Sequence, residues 1–114
     1  MIFDVGGTVS QNANFLYGAT YTSGGDSVLY LNGSQTRTTS SSPTISGSGA
    51  TVLIGAYSDG TYGELYVGTM SEIVIYNQVL STAQRQQVEG YLAWKWGLQA
   101  NLPTSTHPYK AIKP

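Results

Sequence analysis

A chain of 114 residues holds one domain at most, with a modest core. A formal net charge of −1 and 10% charged residues leave no basic footprint for nucleic acid or for an anionic membrane. The absence of cysteine excludes a disulfide framework and thiolate metal sites, and no stretch approaches the roughly 18 apolar residues that a membrane span needs.

The opening MIFDVGGTVS has neither a basic n-region nor an apolar h-region, so no signal peptide is read there. Met1–Val5 is read as a short strand ended by Gly6-Gly7. Asn14–Thr22 (NFLYGATYT) is the first clear strand, by its aromatic and β-branched content. Gly24-Gly25-Asp26 turns the chain into Ser27–Leu31 (SVLYL), and Asn32-Gly33 is a strong two-residue hairpin signal. Asn32-Gly33-Ser34 also matches a glycosylation sequon, which without a secretory signal reads as turn chemistry. The return arm, Ser34–Thr39, has no apolar residue and contains Arg37, as suits an edge strand.

Ser40–Gly49 is a loop by composition. Ala50–Ala56 (ATVLIGA) is an apolar run between turns and is expected as a core strand. Tyr57–Gly63 is expected as a loop with Asp59-Gly60 at its tip, followed by a short strand at Glu64–Val67. Ser71–Tyr76 (SEIVIY) has the composition of a strand packed on both faces or nearly so.

Ser81 and Gln84 have the form of a capping box and open the one convincing helix, expected over about 81–96. Gly97 supplies the left-handed position after it and Leu98 the apolar residue that follows. On a wheel centred on Val88, residues Gln84, Arg85, Tyr91, Leu92 and Trp96 fall within roughly 80°. Trp96 is therefore expected on the sheet, and Trp94, about 120° away, under the tail. Gly90 costs the helix about 1 kcal/mol relative to Ala, which close approach of the helix backbone to a strand or loop would explain. His107-Pro108-Tyr109 reads as a docking clip, and Arg85 with Glu89 as an ordinary i,i+4 pair. Six or seven strands without helices between them exclude a parallel βαβ fold and fit an all-β antiparallel β-sandwich of jelly-roll type.

Tyr57, Asp59 and Tyr62 form the leading ligand-binding candidate. Tyrosine rings can stack on sugars, and an aspartate can accept from two hydroxyls or hold calcium. The competing reading makes Asp59-Gly60 a plain turn and the tyrosines cover for a sheet edge. Asp26 is the other carboxylate in a turn. No serine–histidine–carboxylate set is present, since the lone histidine, His107, lies in the tail.

One ordered set of motifs carries a resemblance. It comprises Leu29-Tyr30-Leu31-Asn32-Gly33, Leu53-Ile54-Gly55, Glu72–Asn77 (EIVIYN), Val88–Ala93 (VEGYLA), Lys95-Trp96-Gly97-Leu98 and His107-Pro108-Tyr109. In this order they resemble the C-terminal part of the domain of the concanavalin A-like lectin/glucanase superfamily, laminin-G-like jelly-roll branch. The resemblance implies a domain at 13–114 that lacks the family's N-terminal strands, preceded by a segment 1–12. Such a half-supplied sandwich implies other protein chains to complete it, in a homo-oligomer or larger assembly, or the tail of a longer polypeptide.

The resemblance further implies a calcium site at a sandwich rim, here formed by Asp59 with Asp26 or Asn32. Glucanases of the superfamily carry carboxylates at alternate positions on one strand. Glu64 and Glu72 have no such neighbour, so enzymatic activity is not expected. The implied function is a non-enzymatic lectin-like module for attachment or surface display, glycan-binding and carried on a virion or other extracellular surface. The alternatives are a purely structural virion subunit that binds protein, as a capsid decoration or fibre component, and a fragment of a glycanase.

Overall fold

The computed structural model describes residues 12–42, 44, 54–58 and 62–114, with 56–58 and 62–64 described by their backbone. The chain divides into two compact units, Met1–Thr44 with Asn77–Pro114, and Ile45–Tyr76. The expected strand at Met1–Val5, most of the expected strand at Ala50–Ala56, and Asp59 lie outside the described residues.

The first unit holds a three-stranded antiparallel sheet in the order β1 (Tyr17–Thr20), β2 (Ser27–Leu31), β3 (Ser34–Thr39). Asn32 and Gly33 take φ of 51° and 79°, the pair of positive values a two-residue type I′ turn requires, so the hairpin forms where the Asn-Gly signal puts it. Asn32 also staples the hairpin to the strand before it. Its backbone N–H donates to the Leu16 carbonyl at 2.7 Å, and its Oδ1 accepts the Leu16 N–H at 2.9 Å. The register between β2 and β3 slips after Leu29, leaving Thr36 as the extra residue of a bulge. The Thr36 hydroxyl donates to the Leu29 carbonyl. A bulged, polar β3 is poorly suited to further pairing, in keeping with its expected place at the edge.

Helix α1 (Thr82–Lys95) begins at the expected capping box, with the Ser81 hydroxyl accepting the Gln84 N–H and the Gln84 side chain accepting the Ser81 N–H. It ends as expected, with Gly97 at φ 71° and the Leu98 N–H reaching back to the Ala93 carbonyl at 2.7 Å. The face it buries is not the expected one. Glu89, Gly90 and Ala93 are its buried residues, whereas Tyr91 is exposed and Trp96 is 44% exposed. At 100° per residue this moves the centre of the buried arc about 150° away from Val88. The wheel scored apolarity, while the buried face is built around a charged residue, Glu89, and two small ones that admit the tail.

A short 3₁₀ turn (Gln99–Asn101) leads into that tail. The Trp94 indole N–H donates to the Tyr109 carbonyl at 2.8 Å, so Trp94 is under the tail as expected. A Cβ added at Gly90 would stand 2.5 Å from the Tyr109 Cβ. The close approach that Gly90 allows is therefore to the tail. Lys110 Nζ donates to the carbonyls of Ala100 and Leu102, and Gln86 Nε2 to that of Thr106. These bonds satisfy carbonyls of a segment that has no sheet or helix partner.

In the second unit, β4 (Ala56–Ser58) and β5 (Tyr62–Leu65) form an antiparallel pair. The expected loop Tyr57–Gly63 is thus narrower: Tyr57 and Tyr62 lie on strands, and the short strand expected at Glu64–Val67 begins earlier, at Tyr62. The larger correction concerns Ser71–Tyr76. Among the described residues this segment joins no sheet, and Ile73, Val74, Ile75 and Tyr76 are all exposed. β-branched composition records fitness for a packed sheet surface and supplies no hydrogen bond by itself, so a strand needs a neighbouring backbone before it is one. Among the described residues there are two antiparallel sheets and one C-terminal helix, in keeping with the expected class though short of a full sandwich.

Candidate functional site

The two candidate tyrosines lie on the two arms of the β4–β5 pair, Tyr57 on β4 and Tyr62 at the start of β5. Ser58 stands opposite Tyr62 and Tyr57 opposite Glu64, with a slip in register between Tyr57 and Ser58. The two tyrosine backbones therefore flank the connection that holds Asp59, one on each arm.

Of the calcium candidates only Asp26 and Asn32 are placed, since Asp59 lies outside the described residues. Asp26 is exposed immediately before β2, and Asn32 follows its last residue. Six residues of extended chain at ~3.3 Å each put them about 20 Å apart, far beyond the span of one coordination shell. The Asn32 side-chain oxygen is moreover the acceptor that holds Leu16. Asp26 and Asn32 do not fit one calcium ion, and no cluster of three His, Asp or Glu lies among the described residues.

The densest polar constellation was not anticipated as a cluster. Glu89 and His107 are each 5% exposed. One carboxylate oxygen of Glu89 pairs with Arg85 and the other meets His107 Nε2 at 3.2 Å. The Arg85 guanidinium lies 3.8 Å over the Tyr30 ring, so the cluster runs from the tail through the helix to β2. His107 Nδ1 accepts the Tyr109 N–H at 3.3 Å, which assigns the ring proton to Nε2 and makes it the donor to Glu89. The same ring packs on the hairpin turn, where a Cβ at Gly33 would stand 2.9 Å from His107 Cδ2.

This geometry separates structure from chemistry. A histidine whose Nδ1 is taken by a backbone N–H and whose Nε2–H points at a carboxylate has no lone pair left to act as a general base. Glu89 in turn has both oxygens engaged with cationic or N–H partners, within a buried site. The pair expected to be ordinary is instead buried and joined by a third member that docks the tail. The sequence carried a signal for it: Glu89 is flanked by Gly90, and a His-Pro-Tyr clip was expected to dock nearby.

Comparison with known proteins agrees with the fold. A laminin G-type family model, described as concanavalin A-like lectin/glucanases superfamily, matches residues 3–84, more than half of the chain. The matched stretch takes in the five strands of the described residues and ends at Gln84 inside the first turn of α1. No curated protein and no solved structure matches the chain.

Proposed function

The chain belongs to the concanavalin A-like lectin/glucanase superfamily, and on that premise we propose a non-enzymatic, lectin-like binding module for attachment or surface display. The observation that supports a glycan ligand is the β4–β5 register, which sets Tyr57 and Tyr62 on either side of the connection containing Asp59. Tyrosine rings and a carboxylate near one hairpin tip supply the two kinds of contact a sugar takes, stacking and acceptance from hydroxyls. Catalysis is not expected in this reading, because neither Glu64 nor Glu72 has an Asp or Glu two residues away. Glu89 and His107 are engaged with each other and with Arg85 and the Tyr109 N–H. Glycan-array binding by the chain, lost in Tyr57→Ala and in Tyr62→Ala, is the expected result. An array on which the chain binds nothing contradicts the glycan reading.

Calcium is not required by this reading. Titration calorimetry that gives heat with calcium, abolished by Asp59→Ala, would add a rim site at that connection. A flat titration with an unchanged melting temperature removes it.

A second reading is a structural subunit that binds protein, such as a capsid decoration or fibre component. It is favoured by the exposed run Leu65–Tyr76, in which Val67 is 94% and Ile75 76% exposed. Apolar surface of this kind on an extended segment suits strand addition to another chain, in a homo-oligomer or larger assembly such as a virion. The two readings part on one point: burial of the β4–β5 tip in a subunit interface favours the structural role, and a free tip that captures glycan favours the lectin.

A further inference from the structure

We draw no further inference here: the strongest candidate, the exposed apolar run from 66 to 76 that follows β5 in the second unit, carries nothing beyond the assembly reading above because nothing in the structure shows which chain or segment covers it.

Discussion

The corner formed by α1, the tail and the β2–β3 turn, and the run Leu65–Tyr76, handle their surface in opposite ways. In the corner a buried carboxylate has both oxygens partnered, the indole of Trp94 finds a tail carbonyl, and Lys110 caps two more. In the run, large apolar residues of both alternations along the chain stay open. The difference is one of range. A cap, an Asn-Gly turn or an i,i+4 pair is satisfied by residues a few positions away, whereas a strand is satisfied only by another strand.

The contrast can be broken most severely at Glu89. Glu89→Ala leaves Arg85 and His107 without their shared partner in a buried site, and a loss of about 3–5 kcal/mol in urea-denaturation stability is expected. Retention of full stability would mean that the cluster is incidental to the corner.

Gly90→Ala tests the tail contact. Helix propensity alone would raise stability by about 1 kcal/mol. The new methyl group would overlap the Tyr109 Cβ, and forced overlap of this kind costs about 1–3 kcal/mol, so the expected outcome is no gain or a net loss. Release of the tail should accompany it, read as faster proteolysis beyond Pro103. A more stable variant with a protected tail would show the approach to be slack.

Ser81→Ala removes the hydroxyl that accepts the Gln84 N–H and should cost about 1 kcal/mol in thermal melts. The smallest effect is expected in the run itself. Ile75→Asp should change the stability of the dilute chain by no more than about 0.5 kcal/mol, since the side chain is already solvated. The same variant should weaken self-association or partner capture, seen in sedimentation velocity. A large loss of stability in the dilute chain would place Ile75 in a core instead.

What was legible in the sequence follows the same division. The capping box, the Gly97 terminus, the Asn32-Gly33 turn and the polar edge strand are local chemistry, and each stands where it is expected. The docked His107 and the covered Trp94 were legible because Pro103 and Pro108 favour an extended backbone that can lie along the helix. Placing Trp96 on the sheet failed because burial of Glu89 depends on Arg85, His107 and Tyr30 meeting in space, which periodicity does not encode. Tyr57 and Tyr62 were singled out by residue type, whereas their place on two paired strands was not read. The calcium reading, Asp59 with Asp26 or Asn32, turns on Asp59, which lies outside the described residues; the strand between Asp26 and Asn32 shows only that these two are not neighbours.

Hydrogen–deuterium exchange, followed from dilute to concentrated protein, tests most directly whether Ser71–Tyr76 is a strand that only another chain completes. In the dilute chain, the amides of α1 should be protected and those of 71–76 should exchange within the dead time. Protection of 71–76 should then appear together with an assembled species in sedimentation velocity. Strong protection of 71–76 in a chain that sediments as a monomer would contradict the account, because the chain's own residues would then be covering the segment.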